Sequence, residues 1–72
     1  MAISSLVQSR ADQALRQSPI PVLRRLKVNE TELEVVLSGS VSSYYLKQLA
    51  QETIMPFIGP RELHNRVMVI RS

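Results

Sequence analysis

Seventy-two residues are enough for one domain and no more, because two units cut from this length would each lack a core. With no cysteine, neither a disulfide framework nor a thiolate metal site can brace the chain, so packing alone must hold it. Nine Lys and Arg against six Asp and Glu leave a formal charge of +3, which favours anionic partners mildly and is too small to name one.

At this size only roughly 60 % of the unfolded chain's surface is buried, so modest stability is expected, with some reliance on a partner or on neighbouring domains. The stretch from Met1 to Gln17 has neither the basic start nor the apolar block of a secretory signal, and no apolar run reaches about 18 residues. The chain as it stands is expected to be soluble and cytoplasmic. A domain of a longer exported protein, periplasmic or envelope-associated, would read the same way.

From Ile3 to Gln17 the apolar positions Ile3, Leu6, Val7, Ala11, Ala14 and Leu15 recur at spacings of three and four and predict a first helix. Ser18 and Pro19 end it, since proline disfavours a helical residue before it and donates no amide; "SPIP" is a connector. Leu26 and Val28 then alternate with Arg25 and Lys27, and Leu33, Val35 and Leu37 with Glu34, Val36 and Ser38, which predicts two strands joined by the polar turn "NETE". Asparagine suits such a turn because it tolerates a left-handed backbone.

Beyond Gly39, the residues Leu46, Leu49, Ala50, Thr53 and Ile54 share one face of a second helix, which Ser42 or Ser43 can cap and Pro56 stops. "PFIGPRE" turns the chain again, and Glu62 to Arg71, ending in "VMVI", predicts a third strand. The expected fold is α+β, in the order α-β-β-α-β, with two helices packed on one face of a three-stranded mixed sheet.

The join "SGSVSS" carries one glycine and no following Gly-Lys-Ser/Thr, so it lacks the successive amides that cradle a phosphate. Gly39 is therefore expected to be architectural, a position needing positive φ or close packing at the end of a strand. Val35, Leu37, Gly39 and Val41, then a helix with Ala50, then Gly59 and the run Leu63, Asn65, Val67 and Val69, resemble the BON domain, a family named for bacterial osmotic-stress and nodulation proteins. The resemblance covers about 11–71, so 1–72 would be a single BON-like domain. "NETE" stands where the family often has glycine, and Pro60 follows Gly59 where the family usually has valine. The resemblance implies a non-catalytic module that binds phospholipid or another component of the bacterial cell envelope. It carries over no catalytic residue.

The residues themselves also argue against catalysis. His64 is the only histidine and Asp12 the only aspartate, while Ser38, Ser40, Ser42 and Ser43 read as strand-end and capping residues. A metal site needs three or four donors, and His64 beside Glu62, with no second histidine or thiol, does not supply them; neither metal nor cofactor is expected. The binding residues expected for an anionic phospholipid surface are Arg24, Arg25, Lys27, Tyr44, Tyr45 and Lys47, since a tyrosine ring can sit at the polar boundary of a membrane while a cation meets phosphate.

A competing expectation uses the sheet face that no helix covers. If Leu26, Val28, Leu33, Val35, Leu37, Leu63, Val67 and Val69 face the helices, then Arg25, Lys27, Glu34, Val36, His64, Arg66, Met68 and Ile70 face away. Val36, His64, Arg66, Met68 and Ile70 would then form an interface for a protein partner or a second copy, with an apolar patch made by Val36, Met68 and Ile70. Nucleic acid is disfavoured, because the two-glycine clamp loop is missing and only Tyr44, Tyr45 and Phe57 could stack on bases.

Overall fold

The computed structural model describes residues 9–70. Of the expected first helix, the stretch holding Ile3, Leu6 and Val7 lies outside the described residues, as does Arg71. Helix α1, Arg10–Arg16, starts where the Ser9 hydroxyl accepts the Asp12 amide at 3.0 Å. This cap satisfies one of the free donors of the first turn. Ala11 and Leu15, four apart, turn inward and are fully buried.

The proline-rich connector does more than expected. It curls into a 3-10 turn, Leu23–Arg25, that buries Leu23 completely in the core. Side chains hold the curl: the Ser18 hydroxyl accepts the Ile20 amide at 3.1 Å, and the Arg24 guanidinium donates to the Ser18 carbonyl at 2.9 Å. Arg16 at the end of α1 donates to the carbonyls of Arg24 and Leu26 and pairs with Asp12 at 3.0 Å. Arg24 and Arg25 thus belong to this turn and not to a strand, which begins only at Lys27.

Strands β1, Lys27–Glu30, and β2, Glu34–Ser38, pair antiparallel, with Val28 opposite Leu37 and Glu30 opposite Val35. The turn between them differs from the expectation. Asn29 sits inside β1 opposite Val36, and no described residue other than glycine has positive φ. The turn is built by Thr31, whose amide donates to the Glu34 carbonyl at 2.8 Å and whose hydroxyl accepts the amides of Leu33 and Glu34. Leu33 therefore lies at the hairpin tip, outside the alternation of the strand, and is 82 % exposed instead of facing the helices.

Past Gly39 the chain continues as β3, Ser40–Val41, and then enters helix α2, Tyr44–Ile54. Of the two expected caps, Ser43 is the one that forms, its hydroxyl accepting the Leu46 amide at 3.2 Å. Pro56 falls in a 3-10 turn, Met55–Phe57, that closes the helix. The last expected strand appears as β4, Glu62–Asn65, and β5, Met68–Val69. β4 runs parallel to β2, with Leu37 opposite Asn65, and β5 runs parallel to β3, with Ser40 opposite Met68, so the register does not slip between the two. Amides of Arg66, Met68 and Ile70 donate in turn to the carbonyls of Leu37, Gly39 and Val41, which carries the ladder across the interruption.

The fold is α+β: a mixed sheet in the order β1-β2-β4, with β3-β5 as a small second sheet extending it. Both helices join one core cluster with the inward residues Val35, Leu37, Val41 and Val67. Asn65 fastens α2 to the sheet, donating to the Lys47 carbonyl at 3.1 Å and to Gln51 Oε1 at 3.2 Å while accepting the Val67 amide. Arg61 fastens the other end, joining Glu30 Oε1 at 2.8 Å to the carbonyls of Phe57 and Ile58.

Candidate functional site

Gly39 adopts φ +129, and a Cβ placed on it would lie 2.6 Å from Leu26 Cδ2. Both expected reasons for a glycine thus apply at once. Lys27 opposite Ser38 is the last pair of the β1-β2 ladder, and the chain before Lys27 leaves the sheet as the Leu23–Arg25 turn. From Ser40 onward the chain has a strand neighbour on the β5 side only. Since the carbonyls of Gly39 and Val41 point to β5, parallel-strand geometry aims the amide and carbonyl of Ser40 at the opposite, open edge.

An open depression of about 420 Å³ lies along that edge, lined by Arg25 and Val22 on one side and by Ser40, Ser42 and Ile70 on the other. Tyr44 and Tyr45 follow two and three residues beyond Ser42 and are 70 % and 71 % exposed. Lys47, three residues after Tyr44, shares its side of α2. Met68 and Ile70 stand out from β5 and the residue after it, both more than half exposed. One end of the molecule thus gathers main-chain donors, serine hydroxyls, a guanidinium, two aromatic rings and two flexible or branched apolar side chains.

The sequence-derived residues divide accordingly. Arg25, Tyr44, Tyr45 and Lys47 fall at this end, and so do Met68 and Ile70 from the competing set. The Arg24 guanidinium is engaged with the Ser18 carbonyl. Lys27 sits on β1 opposite Ser38, on the outer face of the sheet. The expected apolar patch of Val36, Met68 and Ile70 is divided. Val36 pairs with His64, Met68 pairs with Ser40 four residues further along, and Ser38 and Arg66 occupy the intervening outward positions, a separation of roughly 13 Å along the strands.

A second cluster lies toward the other end of the outer face. Glu34 and Glu62 are direct partners across β2 and β4, and His64, two residues beyond Glu62, returns to the same face. The imidazole Nε2 is 3.1 Å from Glu34 Oε1 and 3.3 Å from Glu62 Oε1. Strand alternation puts Glu34 on the same outward face as His64, but the parallel register that brings the two together is set by the whole β2-α2-β4 crossover. Among the described residues no helix is long and apolar enough to cross a membrane.

Comparisons with models of protein families, with curated proteins and with solved structures returned no match for this chain.

Proposed function

We propose that this chain is a non-enzymatic binding module of the BON type that docks on anionic phospholipid with the end of the fold opened at Gly39. The observation that carries the reading is a depression bordered by Arg25, two serines and Ile70, followed within three residues of Ser42 by two largely exposed tyrosines, with exposed Met68 on the neighbouring strand. Tyrosine rings stably occupy the boundary between head groups and acyl chains. Apolar Met68 and Ile70 can enter that boundary, while Arg25, Ser40 and Ser42 offer donors to a phosphate diester. The helix-strand-strand-helix-strand order supports the same reading by its likeness to the BON pattern.

Two cations at the surface contribute about 1 kcal/mol each, so binding is weak and sensitive to salt. The test is co-sedimentation with phosphatidylcholine vesicles, with and without phosphatidylglycerol, at low and high salt. Binding is expected only to the anionic vesicles and is lost at high salt. Arg25→Glu reverses one contact charge and should weaken binding about thirtyfold, from about 2 kcal/mol. The charge-matched Arg10→Glu, on the exposed side of α1, should weaken it far less. Equal losses from the two variants, or no binding to anionic vesicles at low salt, would refute the reading. A dimer mass in solution combined with absent vesicle binding would turn attention to the outer sheet face instead.

A further inference from the structure

We propose that Glu34, Glu62 and His64 form a surface site for a divalent transition-metal ion of the zinc class. The three side chains present one ligand atom each, and all three atoms lie within 4.8 Å of one another. They come from neighbouring parallel strands in a fixed register, so the cluster rests on the sheet and not on a loop. An imidazole with two carboxylates suits zinc, cobalt, nickel or copper, whereas magnesium and calcium prefer oxygen donors throughout.

Two features argue that the cluster is more than an incidental group of surface charges. Like charges directly opposite on adjacent strands repel, and Glu34 and Glu62 occupy such a pair. Among the described residues neither is ion-paired with a lysine or arginine, and the group that bridges the two carboxylates is the His64 imidazole. The spacing is the second feature. Around a tetrahedral zinc with bonds of about 2.0–2.1 Å, neighbouring donor atoms stand about 3.3 Å apart. The Nε2 to oxygen separations of 3.1 and 3.3 Å match two of the three edges, and the third, between the carboxylate oxygens, is within 4.8 Å. The side chains are exposed enough, at 35 % for His64 and 75 % for Glu62, to leave a fourth position for water.

This site lies on the outer face at the Glu34 end of β2, away from the depression at Gly39, so its test is independent of lipid binding. The measurement is calorimetric titration of the whole chain with Zn²⁺ alone, alongside the visible absorption of Co²⁺ as a report on coordination number. One equivalent of Zn²⁺ is expected, with the intense Co²⁺ bands of a four-coordinate centre and no competition from excess Mg²⁺. His64→Ala and Glu34→Gln should each weaken binding about tenfold or more, since losing even an outer-shell partner of a metal ligand costs about that much. Glu32→Gln, at the exposed hairpin tip, should leave it unchanged. Circular dichroism of each variant confirms that the fold persists, as the replaced side chains point away from the core. Absence of Zn²⁺ binding, or binding that survives in the Glu34→Gln, His64→Ala double variant, would overturn the assignment.

Discussion

Replacing Gly39 by alanine tests the corner on which the site depends. Its φ of +129 is a conformation that residues with a Cβ rarely adopt, which costs about 1–3 kcal/mol. The new methyl would also lie 2.6 Å from Leu26 Cδ2. That atom is the end of a side chain and can swing, but Leu26 is 1 % exposed and its neighbours are close-packed, so an off-rotamer adjustment adds about 0.5–1.5 kcal/mol. The expected total is about 1.5–4.5 kcal/mol, a large share of the stability of so small a domain. Gly59→Ala is the natural comparison. It has φ +62 but nothing within 4 Å of its added Cβ, so only the left-handed strain of about 1–2 kcal/mol applies. Urea unfolding followed by circular dichroism measures both, and a double-mutant cycle with Leu26→Ala measures the steric share. A Gly39→Ala cost no greater than that of Gly59→Ala, or zero coupling to Leu26, would refute this account of the corner.

Two further perturbations address the parts of the core that position the proposed binding end. Leu23→Ala removes a fully buried side chain from the 3-10 turn beneath Arg25 and should cost about 2–5 kcal/mol in the same unfolding experiment; a loss under 1 kcal/mol would mean the turn does not pack as described. Asn65→Ala breaks the bonds to the Lys47 carbonyl and Gln51 and leaves the Val67 amide without its acceptor, for a cost of about 2–3 kcal/mol. Hydrogen exchange should show faster opening in α2 and at Val67 than in β1, and uniform acceleration across the domain would contradict the local role given to Asn65.

The helices and strands were legible because their signals are local. Leu46, Leu49, Ala50 and Ile54 state a helical period, Ser43 stands where a cap belongs, and Val35 and Leu37 alternate as a half-buried strand does. Leu23 was not legible as core, since a single 3-10 turn among prolines has no period to detect. Leu33 continues the alternation in sequence but lies one residue outside the strand, in a tip that the Thr31 hydroxyl defines. The candidate sites were legible only in part. Residue type singles out Arg25, Tyr44, Tyr45, Met68 and Ile70, but nothing in the sequence shows that they share one end of the fold. What joins them is the departure of the chain from the sheet before Lys27, fixed largely by Arg16 reaching across to the Arg24 and Leu26 carbonyls. The alternation shows which face Glu34 takes but not its neighbour His64, because pairing between residues far apart in sequence is decided by tertiary packing.

The open edge at Ser40 also bears on what the binding end can accept. An uncovered strand edge ordinarily invites another strand, and long apolar edges lead to aggregation. Here the edge is two residues long, lies between a glycine and a serine, and has Arg25 alongside. It is too short to hold an added strand in register, and a cation beside it suits an anion better than a peptide backbone. Val22 and Ile70 line the depression beside Arg25, while Met68 on β5 and the two tyrosines at the start of α2 add exposed apolar surface. The proposed phospholipid ligand carries a compact negative group next to apolar surface, and so would engage both parts. Inorganic phosphate would satisfy the first part alone, so it should compete with anionic vesicles only weakly; full displacement by phosphate would mean that the tyrosines, Met68 and Ile70 take no part in binding.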